Sequence, residues 1–146
     1  MSRPDLLAGL EAEVGVMVRR IRRIIRERAS AVHPDLQPSS YLLLGWLNQH
    51  GPQRGSAVAE QFEIDKGAIS RQIQHLQDLG LVDRSPDPDD GRATLVAASA
   101  TAVERLALVN DERRQWLDER LGDWSDAELR TFVTQLGSYN RALDDR

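Results

Sequence analysis

Ser70, Arg71 and Gln74 are the residues of this sequence whose types and spacing offer chemistry. On a helix drawn from about Asp65 to Leu79, at 100° per residue, they share one side with Gly67 and Asp78, while Ile69, Ile73 and Leu76 share the other. One side is built for a core and the other for a partner. A hydroxyl, a guanidinium and a carboxamide reach phosphates and base edges in a major groove without filling it. The chemistry is therefore recognition, and the candidate DNA contacts on this helix are Lys66, Gly67, Ala68, Ser70, Arg71, Gln74 and His75.

The neighbouring stretches are those that would position such a helix. Val58, Ala59 and Phe62, then Ile64 after a brief turn, predict a supporting helix packed across it. Gly80 stops the reading helix. Two short runs follow, Leu81 to Ser85 and Ala93 to Ala97, separated by Pro86-Asp87-Pro88-Asp89-Asp90-Gly91-Arg92. Proline, aspartate and glycine are poor strand residues and good turn residues, so the runs predict a two-stranded ribbon whose tip carries Asp90 and Arg92. Helix, turn, helix and ribbon in this order make a winged helix-turn-helix.

Asp65-Lys66-Gly67-Ala68-Ile69-Ser70-Arg71, Leu79-Gly80-Leu81-Val82 and Asp87-Pro88-Asp89-Asp90-Gly91-Arg92 together resemble the multiple-antibiotic-resistance regulator (MarR) family of bacterial transcription factors. The Asp-x-Arg of Asp90 and Arg92 is the most specific part, and the looser likeness of the flanking helices extends over nearly the whole chain. The resemblance implies a homodimeric DNA-binding regulator tuned by a ligand, with the ligand pocket between the DNA-binding lobe and the dimerisation helices, where Trp46 would wall it. The chain departs from the family in three places. Glu63 stands where a glycine is usual and must tolerate a left-handed conformation or a reshaped turn, at a cost of roughly 1 kcal/mol. Gln72 replaces an apolar residue, and Ser99-Ala100-Thr101-Ala102 replaces a Thr-Pro-Ala-Gly-like segment, with Ser99 still able to cap the next helix.

Outside this centre the chain reads as helices. Leu10, Val14, Met17, Val18, Ile21, Ile24 and Ile25 predict one from about Leu6 to Val32, ended by His33-Pro34. Its other face carries Arg19, Arg20, Arg22, Arg23, Arg26 and Arg28, which read either as a solvated charge run or as phosphate ligands. A second helix, Pro38 to about His50, is too apolar for the surface and threads the core, so Trp46 also reads as a core tryptophan. Ser99 to about Leu121 and a last helix opened by Ser125 complete the chain. The expected organisation is one mostly α domain over residues 1–146. It comprises an N-terminal dimerisation helix (1–37), a winged helix-turn-helix lobe with a small β-hairpin wing (38–98) and C-terminal dimerisation helices (99–146).

Composition bounds the function. At 146 residues the chain is one domain's length, and no run of 18 apolar residues or hydrophobic signal core follows Met1-Ser2-Arg3-Pro4-Asp5, which predicts a cytoplasmic protein. The absence of cysteine excludes disulfides, zinc-thiolate sites and the thiol-based peroxide sensing used by some members of the resembled family. His33, His50 and His75 lie far apart with no metal-ligand spacing, and there is no phosphate-cradling glycine loop or nucleophile elbow. Asp87, Asp89 and Asp90 lack the later ligands of a calcium loop. No enzyme, metal or cofactor is expected. The net charge of -4 weighs against a nonspecific nucleic-acid coat, and residues 64–97 hold 4 basic against 6 acidic groups, which predicts modest, salt-sensitive DNA affinity. The expected function is a transcriptional regulator, a ligand-responsive repressor binding a pseudo-palindromic operator as a homodimer. The acidic balance keeps two alternatives: a winged-helix protein-interaction module and a small-molecule-binding protein that has lost DNA binding.

Overall fold

The computed structural model describes residues 1–144. Six helices and three short strands follow in the order α1 (Arg3–Val32), α2 (Pro38–His50), β1 (Gln53–Arg54), α3 (Gly55–Phe62), α4 (Lys66–Asp78), β2 (Val82–Asp87), β3 (Asp90–Ala98), α5 (Ala100–Arg120) and α6 (Asp126–Asp144). They form two compact units, Met1–Val109 and Asn110–Arg146, the division falling within α5.

In the first unit, Leu43, Leu44 and Leu47 of α2 are fully buried among Ala29 and Val32 of α1, Val58 of α3, Ile69, Ile73 and Leu76 of α4, Val82 and Val96 of the strands, and Leu106 of α5. A helix as apolar as α2 has nowhere to go but the centre, and the amphipathic helices turn one stripe each onto it. Burying each such aliphatic side chain contributes about 1.5–3 kcal/mol, which dominates the placement of α4.

Local sequence sets the element ends. Ser2 and Asp5 form a reciprocal capping box that starts α1 three residues earlier than the apolar pattern indicates. Asp65 caps α4, its Oδ2 accepting the Ala68 N–H at 3.2 Å. At the far end Gly80 takes φ +73°, with the Gly80 and Leu81 N–H groups returning to the Gln77 and Leu76 carbonyls. The same closing motif ends α3: the Glu63 and Ile64 N–H groups bond to the Glu60 and Ala59 carbonyls. Here the left-handed residue is Glu63, at φ 52° and ψ 40°. Of the two outcomes open to this non-glycine residue, a left-handed conformation or a reshaped turn, the chain adopts the first.

The sheet has the order β1-β3-β2, antiparallel throughout. It departs from the expected two-stranded ribbon in two ways. β1 adds a third strand, Gln53 opposite Val96 and Arg54 opposite Leu95, too short to leave a periodic signal. The ribbon also runs further than composition indicates, because Pro86 lies on β2, an edge strand where a missing N–H costs no ladder bond, and only Pro88 and Asp89 remain between the strands. Ser99 then joins sheet to helix: its Oγ donates to the Gly80 carbonyl at 2.8 Å and accepts the Ala102 N–H at 3.1 Å, capping α5 as expected.

In the second unit Ser125 and Glu128 form another capping box at the start of α6, and Trp124 meets Phe132 edge to face with ring centroids 5.5 Å apart. No residue of α6 is buried.

Candidate nucleic-acid interface

The geometry of α4 divides as its sequence does. Ile69, Ile73 and Leu76 are buried, and Lys66, Gly67, Ser70, Arg71 and Gln74 are all exposed. Ala68 is half-buried beside them, its N–H engaged by Asp65. Gly67 has a steric reason to lack a side chain: a Cβ there would lie 2.9 Å from the capping Oδ2 of Asp65. The helix start therefore presents backbone to a partner without disturbing its own cap. Gln74 donates from Nε2 to Asp78 Oδ1 at 2.9 Å, which holds the carboxamide along the exposed face. His75 stands apart. It is half-buried, with Nε2 3.3 Å from the Asp35 carbonyl, so it fastens α4 to the loop before α2 and is not brought together with the others.

The wing presents Arg92 differently from the expected tip position. In the ladder Pro86 faces Thr94 but Asp87 faces Asp90, so Gly91, Arg92 and Ala93 bulge from the long strand without opposite partners. Such a bulge re-aims the side chains it carries. Arg92 is exposed, and the Oδ1 of Asp90 accepts the Arg92 backbone N–H at 3.0 Å. The Asp90 carboxylate thus engages the Arg92 backbone, since an aspartate two residues before an amide closes a local turn more readily than it captures a long, solvated side chain.

The carboxylate that does take a guanidinium is Asp87. Arg54 holds its Oδ2 through Nε at 2.8 Å and through a terminal nitrogen at 2.6 Å, while Oδ1 accepts the Asp89 N–H at 2.9 Å. The Asp89 N–H and then the Arg54 guanidinium keep the Asp87 carboxyl below the usual carboxylate range, against the opposing effect of burial, and Asp87 in turn raises the Arg54 pKa further. With a lowered folded-state pKa, whatever stability the pair contributes is present above the ordinary carboxylate pKa and lost only as pH falls through the lowered one. At neutral pH the pair is intact.

Between α4 and the sheet lies a cleft of about 250 Å³ whose polar rim includes Ser56, Lys66, Ser70, Arg84 and Thr94 over a floor of Ile69, Ile73 and Val96. Two cations and three hydroxyls converge there. Arg84 and Arg54 were not singled out as site residues from sequence, since a lone arginine in a short strand has no periodic signal. Trp46, the candidate pocket wall, is half-buried against the core, stacked on His50 at 4.6 Å and edge-on to Phe62 at 6.0 Å. Among the described residues no group of three or more His, Cys, Asp or Glu side chains is placed to hold a metal, and no helix is long and apolar enough to cross a membrane.

Residues 35–93, which include the whole helix-turn-helix and most of the wing, match the MarR family model. The HTH-type transcriptional regulator YxaD of Bacillus subtilis (strain 168) is 31% identical over 136 residues, 93% of this chain and 94% of the relative. The chain belongs to the MarR family. A second relative, the HTH-type transcriptional regulator MT0903.1 of Mycobacterium tuberculosis (strain CDC 1551 / Oshkosh), is 32% identical over 124 residues, 85% of each chain. In fold, the chain is similar to a MarR family protein from Bacillus stearothermophilus, with a TM-score of 0.84 at 16% identity over 99% of this chain and 100% of that one. The protein is accordingly a DNA-binding transcriptional regulator of the MarR family, a winged helix-turn-helix fold with flanking helices.

Proposed function

We propose that this MarR family regulator acts as a cytoplasmic homodimer on a pseudo-palindromic operator, as a ligand-responsive repressor without catalytic activity, its lobes those of residues 1–37, 38–98 and 99–146. The observation that carries the reading is the divided surface of α4, with Ser70, Arg71 and Gln74 exposed opposite a fully packed Ile69, Ile73 and Leu76. In this reading Ser70, Arg71 and Gln74 face the major groove, and the Gly67 and Ala68 backbone approaches the phosphates. Lys66 and Arg84 take phosphates beside the cleft between helix and wing, and Arg92, aimed by the Asp90 turn, enters the minor groove. His75 supports the helix from behind. Trp46 offers an effector the edge of an aromatic cluster, and its packing equally suits a core role.

The test is a salt titration of binding to a duplex from the chain's own promoter region. Log affinity should fall linearly with log salt, and Arg92→Ala should lower the slope by about 1 with little effect on folding. Binding that is absent at low salt, or indifferent to salt, would refute the assignment.

A further inference from the structure

We propose that Arg54 and Asp87 are positioning residues for DNA binding: their ion pair latches the turn of the wing to the root of α3 and so sets the distance and angle between Arg92 and the reading helix. The proposal rests on the reading that Arg92 contacts DNA.

The geometry is specific. β1 is only two residues long, so hydrogen bonds from it support the base of the ribbon, at Leu95 and Val96, and leave its outer half as two strands. Arg54 stands level with Leu95 and Ser85 in the ladder, and Asp87 lies two residues further toward the turn. The arginine side chain therefore crosses β3 and reaches the far end of β2, joining all three strands diagonally. Both oxygens of Asp87 are used, one by Arg54 and one by the Asp89 N–H, so the same carboxylate that receives the arginine also shapes the turn. Asp87 is 8% exposed, which is unusual for a carboxylate near a hairpin end and leaves it unsuited to any solvent-facing role. Arg54 immediately precedes α3, the helix packed against α4. A rigid path thus runs from the bulge of Gly91, Arg92 and Ala93 through Asp87 and Arg54 to the helix-turn-helix.

A two-stranded ribbon alone is marginal in water, so a ribbon tied only at its base samples many angles. Ordering it on DNA would then cost binding free energy, and a latch that orders it beforehand spares that cost. The consequence has a distinctive sign. Asp87→Asn removes a negative charge close to the DNA-facing surface, and simple electrostatics predicts tighter binding. The latch predicts weaker binding, by about tenfold, the equivalent of one lost contact.

The experiment measures affinity and salt slope for the promoter duplex with the full chain and its variants Asp87→Asn, Arg54→Lys, Arg54→Ala and Arg92→Ala, and with each of the first three combined with Arg92→Ala. It also follows amide exchange over residues 89–94 in the free protein. Asp87→Asn and Arg54→Ala should each weaken binding about tenfold, and neither should weaken it further once Arg92 is alanine, because a latch acts through the residue it positions. Arg54→Lys keeps the charge but loses the two-nitrogen grip, and should weaken binding several-fold with an unchanged salt slope. If Asp87→Asn does not fold, Arg54→Lys carries the test. Exchange at 89–94 should quicken in every latch variant. Tighter binding by Asp87→Asn, full additivity with Arg92→Ala, or unchanged exchange would each overturn the proposal. Should Arg92→Ala alone leave affinity and slope untouched, the wing reading fails instead, and the exchange measurement still decides whether the latch exists.

Discussion

Gln74 already has a hydrogen-bond partner, which shapes what it can do on DNA. Its carboxamide donates to Asp78 one turn along the exposed face of α4, so a bidentate contact to adenine exchanges that bond for one on the base. The exchange makes recognition cheap in absolute affinity but leaves discrimination intact, because a wrong base returns the side chain to Asp78 without satisfying the groove. Gln74→Ala is therefore expected to relax preference at one base pair per half-site, by about 1–3 kcal/mol of discrimination, with overall affinity much less affected. Folding stability should stay within about 0.5 kcal/mol, since the residue is exposed. Selection from a randomised duplex pool reads the effect, and an unaltered base preference would remove Gln74 from the interface. At this scale the sequence was informative wherever one residue's own position decides its role. Ser99 and Ser125 cap the helices that their positions indicate, and Ser70, Arg71 and Gln74 are exposed as their helical phase requires. The Arg54 and Asp87 pair was illegible because its members are 33 residues apart and neither type is rare on a surface.

Between elements, the sharpest local conflict is the joint of the helix-turn-helix. Periodicity places α3 and α4 correctly, but the chain between them must reverse through a left-handed residue, and the residue there is Glu63. Its backbone is held by the closing bonds of Glu63 and Ile64 to the α3 carbonyls, and its side chain is exposed. Strain without compensating burial is a cost that glycine would relieve. Glu63→Gly should stabilise the fold by about 0.5–1 kcal/mol, the left-handed penalty removed less the extra chain entropy glycine brings. A shift of the urea midpoint to higher concentration with an unchanged slope is the expected readout. A destabilised variant would mean that the glutamate side chain itself supports the turn. The wing shows the opposite failure of local reading. Pro86, Asp87 and Asp90 carry turn propensities, yet they extend the strands, because the edge position of β2 forgives the proline and the Arg54 ion pair occupies the carboxylate. Tertiary context overrode propensity where a partner from another element was available.

For the whole molecule, the apolar surface left uncovered is the guide. α1 exposes Leu6, Leu7, Leu10, Val18 and Ile21, while α6 exposes Leu129, Phe132, Val133 and Leu143 and buries nothing. Trp124 and Phe132 border a shallow apolar groove with Ala127 in the second unit. A 19-residue helix with an amphipathic pattern and no buried residue gains little from its own chain beyond its capping box and the Trp124–Phe132 contact, and isolated helices of that length are marginal in water. Burial of side chains of this size contributes about 1.5–3 kcal/mol each, enough over several residues to offset the entropy of association. In the proposed homodimer a second copy would supply such a surface with two-fold symmetry, and would bring two α4 helices to one face of the duplex about one helical turn, roughly 34 Å, apart. Sedimentation at micromolar concentration should accordingly give a dimer, and a half-site duplex should bind far more weakly than the full site. Val133→Asp, on the exposed face of α6, should shift the equilibrium toward monomer and reduce full-site affinity toward that of the half-site, because a buried unpaired carboxylate at an interface is strongly unfavourable. A monomer that binds the full site with undiminished affinity would show that the terminal helices serve something other than pairing.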